Sequence, residues 1–262
     1  MLSKETTNAY CQILEDELIA ATGCTEPIAI AYAAAVMRDT LGGLPEKMQV
    51  LVSGNIIKNA KSVVVPGTNG KKGIAAAAAA GVIAGIAEKQ LEVITQVSER
   101  QKEQIGAYLQ STPISIACRE DGPALDITVN GERGAETASV RIASAHTNIV
   151  HIEKDGMVRL DSPVAEGPQE CAAPSVLNVK DIVEFADTVD LGRVESVLKR
   201  QIERNMAIAE RGLAEGSGAG IGRVLLSGGA DDLITRARAY AAAGSDARMS
   251  GMEMPVVIVS GS

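Results

Sequence analysis

A single cysteine lies between two segments of helical pattern, in the stretch Gly23-Cys24-Thr25-Glu26-Pro27. Pro27 suits the first position of a helix, which needs no donor N–H, and Thr25 or Glu26 can cap that helix. A thiol just before a helix start lies at the positive end of the helix dipole, which favours the thiolate form. Because a thiolate binds metal or attacks carbon, Cys24 is a candidate reactive residue. The alternative is a small buried apolar residue at a tight turn.

A glycine-rich loop, Pro66-Gly67-Thr68-Asn69-Gly70-Lys71-Lys72-Gly73, is the second candidate site. A run that favours β-structure precedes it and a helical pattern over 74–90 follows at once, an arrangement that presents backbone N–H groups to an anion. It is not a Walker A loop, because its glycine spacing is too short and Lys71 is followed by Lys72. A carboxylate or a small phosphate is the expected ligand. The alternative is a glycine-rich turn with solvated lysines.

The segment before this loop carries two amides and two lysines on a short connection. These side chains suit a carboxylate, and they are Asn55, Lys58, Asn59 and Lys61. A solvated polar turn is an equally good interpretation of the same residues.

The two histidines of the sequence, His146 and His151, lie near the end of a strand-like run. A histidine in such a place can act as a general base, and His146 is the better candidate. The alternative is a histidine satisfied on the surface or in the core. Further along the chain, Asp246 and Arg248 follow a helical pattern and can pair, for which an exposed turn pair is the favoured interpretation.

Periodic patterns around these residues predict an α+β fold with alanine-rich helices packed on a small sheet. Helical spacing covers residues 6–22 and 27–39, and alternation predicts a strand over 48–53. Between 113 and 160, short alternating runs separated by Asp-Gly and Asn-Gly turns predict an antiparallel meander of four or five strands. Helical patterns return after residue 178. With no Trp and one Phe, the core must consist mainly of Ala, Val, Ile and Leu.

We expect three regions along the chain, which can also form one compact unit. They are a helical and glycine-loop region at 1–110, the meander at 111–162 and a helical region at 176–262. The last residues, 254–262, form an apolar run that ends in Gly-Ser. Because such a run usually leads into further structure, we expect the chain to be the N-terminal portion of a longer protein.

The formal net charge of −8 argues against non-specific nucleic-acid binding, which needs a basic face. There is no polybasic membrane patch, and the most apolar stretch, 73–87, is shorter than a membrane span. The N-terminus shows no signal region, so we expect a cytoplasmic protein without membrane or nucleic-acid partners. The four cysteines lie far apart with no CxxC spacing, which argues against a disulfide framework or a locally built metal site.

Four segments taken together resemble the L-cysteine desulfidase family, in the superfamily of the iron–sulfur L-serine dehydratase alpha chain. The resemblance covers almost the whole chain from Cys24 onward, and its motifs are long and specific. The segments are Gly23-Cys24-Thr25-Glu26-Pro27, Ser53-Gly54-Asn55-Ile56-Ile57-Lys58-Asn59-Ala60, Val64-Val65-Pro66-Gly67-Thr68-Asn69-Gly70-Lys71-Lys72-Gly73 and His146-Thr147-Asn148-Ile149-Val150-His151.

The resemblance implies an iron–sulfur lyase. Members of that family hold an oxygen-sensitive [4Fe-4S] cluster through three cysteines, leave the fourth iron open to substrate, and convert L-cysteine to pyruvate, ammonia and hydrogen sulfide. Cys24 matches one cluster ligand, and the other two are expected beyond Ser262. Cys11, Cys118 and Cys171 do not match ligand positions. A lone Cys24 cannot hold a cluster, so this segment by itself is expected to be inactive.

The resemblance also suggests roles for the remaining site residues. The open iron would act as a Lewis acid on the sulfur of the substrate. The loop residues Thr68, Asn69 and Gly70 would hold the substrate carboxylate together with a second group of side chains, Asn55, Lys58 and Lys61. His146 or Lys72 would remove the α-proton.

Three other functions stay open at the level of the sequence. The first is serine dehydration by the same cluster, because the sequence does not separate a thiol from a hydroxyl leaving group. The second is a pyridoxal-phosphate lyase, for which Lys72 is a weak candidate for the Schiff base. The third is a non-catalytic small-molecule-binding or oligomerisation domain, and a homo-oligomer is compatible with each of these functions.

Overall fold

The computed structural model describes residues 2–164, 176–229 and 232–259, and Cys171 lies outside these ranges. The α-helices of the described residues are α1 (Lys4–Glu17), α2 (Thr25–Leu41), α3 (Gly54–Ala60), α4 (Gly73–Ala84), α5 (Glu99–Ser111), α6 (Val179–Thr188), α7 (Glu195–Glu215), α8 (Ile221–Ser227) and α9 (Leu233–Met249). The strands are β1 (Leu18–Thr22), β2 (Lys47–Ser53), β3 (Ile114–Arg119), β4 (Asp126–Arg133), β5 (Glu136–Ala143), β6 (Ile149–Lys154), β7 (Met157–Asp161) and β8 (Pro255–Val259).

Six of these strands form the main sheet, in the order β3-β2-β4-β5-β6-β7. β2 is parallel to β3 and antiparallel to β4, and every later neighbour is antiparallel. Strands β4 to β7 therefore form the expected meander, whereas β3 pairs with β2 instead of β4. The strand expected over 48–53 is thus part of the same sheet as the meander.

Helix α2 contacts this sheet and is buried along most of its length. Ile28, Ile30 and Met37 are completely buried, and they share one core cluster with Val129 and Val140 of the sheet. The same helix contacts α4, which is built largely of alanine. These contacts confirm the α+β fold, with alanine-rich helices packed on a sheet.

Small residues let α2 and α4 approach each other closely. A Cβ atom added at Gly81 would clash with the backbone carbonyl oxygen of Ala31, and one added at Gly85 would lie 2.7 Å from Cβ of Ala35. The contact therefore has no room for a side chain at Gly81 unless a helix backbone shifts. This packing suits a sequence that has almost no aromatic residues.

The helix expected over residues 6–22 is shorter in the structure. α1 ends at Glu17, and the following residues form β1, which pairs antiparallel with β8. The partner strand comes from the other end of the described chain, so no local pattern reveals the pairing. Because β8 follows α9 closely, this two-stranded sheet brings the end of α9 toward the turn that holds Cys24.

Two further boundaries differ from the patterns around the glycine loop. The helix expected over 74–90 ends at Ala84, because Gly85 has extended backbone angles (φ −65°, ψ 135°). The β-favouring run before the loop makes only an isolated bridge between Val64 and Lys72. The loop is therefore the tip of a short hairpin-like turn that leads into α4.

The helices after residue 178 confirm the expected return to helical structure. Asn178 caps α6, since its side chain accepts a hydrogen bond from the backbone N–H of Asp181 at 2.9 Å. α7 and α9 pack closely at Gly212, where an added Cβ would lie 2.5 Å from the carbonyl oxygen of Ala243. None of the helices in the described ranges combines the length and the apolar character needed to cross a bilayer.

Candidate functional site

Cys24 lies at the junction of β1 and α2, where it is the residue that precedes the first turn of the helix. Gly23 makes the sharp connection with φ +83°, and a Cβ atom there would lie 2.6 Å from Cγ of Pro66. Glycine is therefore required both by the backbone angle and by the close approach of the loop. The structure thus places the start of the 66–73 loop directly against the Cys24 turn.

The thiol of Cys24 is hydrogen-bonded to the carboxylate of Glu26. Sγ donates to Oε2 of Glu26 at 3.2 Å, and the hydroxyl of Thr25 donates to the same oxygen at 3.2 Å. The other carboxylate oxygen accepts a hydrogen bond from Nδ2 of Asn59 at 3.0 Å. Glu26, which the sequence suggested only as a cap, therefore connects the cysteine to the polar segment at the end of α3.

These surroundings keep Cys24 protonated, against the expectation of a thiolate. Burial raises the pKa of the thiol to about 12, and the negative charge of Glu26 and its hydrogen bond add to this rise. The positive charge of Arg248 opposes it. The helix start favours an anion, but the nearby carboxylate already supplies one, and a second anion would be repelled.

The carboxylate of Glu26 is held in its charged form. Burial pushes its pKa upward, but hydrogen bonds from Cys24 and Asn59 and an electrostatic interaction with His146 bring the pKa below its ordinary value. His146 is buried, and it lies in the turn between β5 and β6. The structure thus places His146 within electrostatic reach of Glu26 in the cysteine turn.

Arg248 acts electrostatically on Cys24, a role that the sequence did not indicate. It lies in the last turn of α9, and it is half-buried. The pairing with Asp246 that the sequence suggested does not form, because Oδ2 of Asp246 accepts hydrogen bonds from the backbone N–H groups of Gly220 at 3.0 Å and Ile221 at 3.3 Å. Nothing in its local sequence showed that Arg248 would lie near Cys24, because that position depends on the pairing of β1 with β8.

The glycine loop has a buried base and an exposed tip. The hydroxyl of Thr68 is buried and donates to the carbonyl oxygens of Val65 at 2.6 Å and Lys71 at 3.3 Å, which closes the turn. Asn69 and Gly70 are exposed and have φ values of +55° and +76°. The side chain of Thr68 therefore stabilises the loop, and its tip is open to a ligand.

The other candidates in this part of the chain are exposed at the surface. Asn55, Lys58 and Lys61 are exposed at α3 and its end, and Lys72 is exposed at the start of α4. His151 belongs to a different cluster on the sheet, where Nδ1 lies 3.1 Å from Oδ1 of Asp161. It therefore has a structural partner of its own.

The chain is similar to proteins of a known family. A family model described as the serine dehydratase alpha chain matches residues 88–262. The chain belongs to that family. The matched range of this chain includes His146 and Arg248, whereas Cys24 precedes that range.

Several relatives that are longer than this chain align with the region around Cys24 as well. UPF0597 protein DSY1109 of Desulfitobacterium hafniense is 49% identical over 254 residues, which is 97% of this chain and 59% of that protein. UPF0597 proteins of Lachnoclostridium phytofermentans and Finegoldia magna are 45% and 44% identical. The chain spans about 60% of the length of these relatives. No solved structure matches the chain.

The serine dehydratase alpha chain family is associated with iron–sulfur chemistry, so the fit of a cluster to these residues can be tested. Cys24 is a free, half-buried thiol, which suits one ligand position. Cys11 is buried beside Tyr10 and Phe185, and Cys118 is exposed on β3. Within the part of the chain that the structure describes, no three His, Cys, Asp or Glu side chains come together to hold a metal ion. The described residues therefore do not form a complete ligand set for a metal ion or a cluster.

Proposed function

We propose that the protein is a lyase that eliminates hydrogen sulfide from L-cysteine, and that this chain carries one wall of its active site. The observation that supports the proposal is that three residues from separate parts of the sequence act on Cys24 and Glu26: Asn59, His146 and Arg248. Membership of the serine dehydratase alpha chain family supports lyase chemistry. Cysteine as the substrate is suggested by the sequence resemblance.

In this proposal Cys24 is one ligand of a [4Fe-4S] cluster, and the other ligands lie in the part of the longer relatives that this chain does not span. When bound, the cluster supplies a Lewis acid for the leaving group of the substrate. A cysteine must lose its proton to bind iron. The Glu26 carboxylate accepts the hydrogen bond of the Cys24 thiol, so a proton acceptor is already in place.

His146 is the proposed base for the α-proton, and Lys72 is the second candidate. Removal of that proton and cleavage of the Cβ–S bond release hydrosulfide and leave aminoacrylate. Aminoacrylate tautomerises to the imine, which water hydrolyses to pyruvate and ammonia. His146 is favoured over Lys72 because it is buried and within electrostatic reach of Glu26, whereas Lys72 is exposed.

The substrate carboxylate is proposed to lie between the glycine loop and α3. Asn69 and Gly70 form the open tip of the loop, and Asn55, Lys58 and Lys61 add amide and ammonium donors. Thr68 keeps the loop closed. Pro66 packs against Gly23, so a ligand at the base of this loop would lie near Cys24.

The decisive experiment uses the complete polypeptide purified without oxygen. We expect about four iron and four sulfide per chain, a stoichiometry that follows from the cluster type, and release of sulfide from L-cysteine. Cys24→Ser should lose both iron and activity, and Cys118→Ser, at an exposed cysteine, should retain both. An iron-free wild-type protein would overturn the proposal, as would full iron content in Cys24→Ser.

The same preparations identify the base. His146→Gln should lower kcat by about a hundredfold or more while iron content is unchanged. His151→Gln is the matched control, and it should keep wild-type turnover because His151 pairs with Asp161 on the sheet. Equal turnover of His146→Gln and wild type would exclude His146, and Lys72→Gln would then be tested in the same way.

Serine dehydration is the second candidate function, and the family match favours it. The two functions differ only in the atom that leaves the β-carbon. Pyruvate formation from L-serine that exceeds sulfide release from L-cysteine would assign the protein to the second function. The proposed roles of His146 and of the glycine loop are the same in both reactions.

A further inference from the structure

A row of polar side chains crosses the main sheet on the face opposite to α2. Thr128 of β4 is paired with Arg141 of β5, and Arg141 is paired with His151 of β6. The neighbours of Arg141 along β5, Val140 and Ile142, are buried in the core that contains α2. Because successive side chains of a strand point to opposite faces, Arg141 and its cross-strand partners project away from that core.

This row lines a cavity of about 280 Å³. None of the described residues at the proposed reaction centre lines it, so the cavity is separate from Cys24. Its polar lining combines two guanidinium groups, an imidazole, a carboxylate and hydroxyl groups, which come mainly from Arg119, Thr128, Ser139, Arg141, His151 and Asp161.

The two arginines share a single buried carboxylate. Asp126 is completely buried, and its two oxygens accept hydrogen bonds from Nε of Arg141 at 3.1 Å and from Nη2 of Arg141 at 2.6 Å. Nε of Arg119 lies 3.6 Å from Oδ1 of the same carboxylate, which is too far for a hydrogen bond. Two positive charges are therefore balanced by one negative charge.

Both guanidinium groups keep donors that the described residues do not use. Arg119 donates from Nη2 to Oγ1 of Thr128 at 3.1 Å, while its Nε is shielded from solvent and has no hydrogen-bond partner in the described part of the chain. The hydrogen bonds within the described ranges also leave Nη1 of Arg119 and Nη1 of Arg141 without an acceptor. Native proteins retain few unsatisfied polar groups in their interiors, and each one calls for an explanation such as a bound ion.

The other carboxylates near the cavity contact His151 instead of the arginines. Oδ1 of Asp161 lies 3.1 Å from Nδ1 of His151, and Oε2 of Glu153 lies 3.7 Å from Nε2. The side chain of Asp161 is 76% exposed, so water screens its charge far more than that of the buried Asp126. The arginine side of the cavity therefore carries about one uncompensated positive charge.

We propose that this cavity binds the carboxylate of a small organic acid between Arg119 and Arg141. A carboxylate brings two acceptor oxygens and one negative charge, which match the two free Nη1 donors and the uncompensated charge. A phosphate would bring further negative charge toward Asp161. The hydroxyls of Ser139 and Ser162, which also line the cavity, can bind the remainder of the acid. This site does not depend on the proposed reaction, because it is separate from Cys24.

Calorimetry with propionate and its neutral analogue propionamide tests the site in the complete polypeptide. Lys58→Gln is the parent protein, because it weakens binding at the carboxylate site proposed beside the glycine loop. We expect this parent to bind propionate and not propionamide. Adding Arg119→Gln should weaken propionate binding at least tenfold, the loss of one charge-assisted hydrogen bond. Arg100→Gln, at an exposed position of α5, is the matched control and should change the affinity less than twofold.

A second variant leaves both arginines in place. Ser139→Asp puts a competing carboxylate into the cavity and should also weaken propionate binding at least tenfold, with circular dichroism confirming that the variants are folded. Unchanged propionate affinity in a folded Arg119→Gln or Ser139→Asp would overturn the proposal, as would a parent that binds propionamide equally well or does not bind propionate. Binding of inorganic phosphate that requires Arg119, without binding of propionate, would replace the carboxylate by a phosphate ligand and overturn the proposal as stated.

Discussion

Cys24 illustrates how neighbouring charges can override the effect of a helix start. A thiol at this position is expected to ionise easily, yet Glu26 lies two residues later and its carboxylate already satisfies the positive end of the helix. Burial of Cys24 opposes ionisation further, and the pKa is about 12. The thiol is therefore a poor nucleophile at neutral pH, which favours the role of a metal ligand that ionises only when iron displaces its proton.

This state of Cys24 can be tested by its reactivity. In metal-free protein at pH 8, we expect Cys24 to react with iodoacetamide far more slowly than the exposed Cys118, and its rate should increase as the pH rises toward 12. Glu26→Gln removes the negative charge and should accelerate the reaction about tenfold for each unit by which the pKa falls. Mass spectrometry of the labelled peptides measures both rates. An unchanged Cys24 rate in Glu26→Gln would contradict the role of Glu26.

The raised pKa of the Cys24 thiol also determines how the stability of the protein changes as the pH rises. The folded-state pKa of about 12 lies above the ordinary value of 9.0, so the unfolded chain loses this proton first as the pH rises. The contribution of the protonated thiol to stability is complete below about pH 9 and is lost toward pH 12. Between about pH 9 and pH 12, the free energy of unfolding should therefore fall less in Cys24→Ser than in wild type.

At the scale of the elements, the contact between α2 and α4 determines how the site is supported. Cys24 and Glu26 lie at the start of α2, and the glycine loop leads directly into α4. Gly81 lets the two helices touch, because a Cβ atom there would meet the backbone of Ala31. The distance between the Cys24 turn and the glycine loop therefore depends on the small apolar residues at which α2 and α4 touch.

Gly81→Ala tests this contact. Alanine favours a helix by about 1 kcal/mol over glycine, but the clash with the Ala31 carbonyl must displace a helix, and overpacking typically costs about 1–3 kcal/mol. We expect a net loss of stability in chemical denaturation. Gly54→Ala is the matched control, since a Cβ atom at Gly54 meets no other atom within 4 Å. Equal stability of the two variants would mean that the helices separate at little cost.

At the scale of the whole molecule, residues from both ends of the described chain meet at the site. β1 leads into Gly23 and Cys24, while β8 follows the helix that carries Arg248. Asn205 of α7 clamps β8, since its side chain donates to the carbonyl oxygen of Val257 at 3.0 Å and accepts from the N–H of the same residue at 2.9 Å. The environment of Cys24 should therefore depend on a strand that is remote in sequence.

Val257→Asp tests this dependence. Val257 is buried in β8 and pairs with Ala20 of β1, so a carboxylate there would be desolvated and should destabilise the strand pair by about 3 kcal/mol. We expect faster alkylation of Cys24 in this variant. Val259→Asp, at an exposed position of the same strand, should leave the rate near that of wild type. Unchanged Cys24 reactivity in Val257→Asp would show that the turn holds its structure without β8.

The sequence was sufficient for features that depend on residues within a few positions of one another. These are the α+β class, the meander, the cap at Asn178, and the selection of Cys24 and the glycine loop as candidates. Sequence resemblance also indicated the superfamily. Local patterns could not reveal the β1–β8 pair, the placement of β2 beside β3, or the electrostatic effect of Arg248 on Cys24, because these depend on the arrangement of distant segments.

The protonation state of Cys24 was likewise decided only by the tertiary structure. Sequence identified the residue types and a helix start, and these together favoured a thiolate. Folding added burial and fixed the geometry of the Glu26 carboxylate, and both raise the pKa. The energy of an electrostatic interaction depends on the distance between the charges and on the surrounding medium, and both are fixed only when the chain folds.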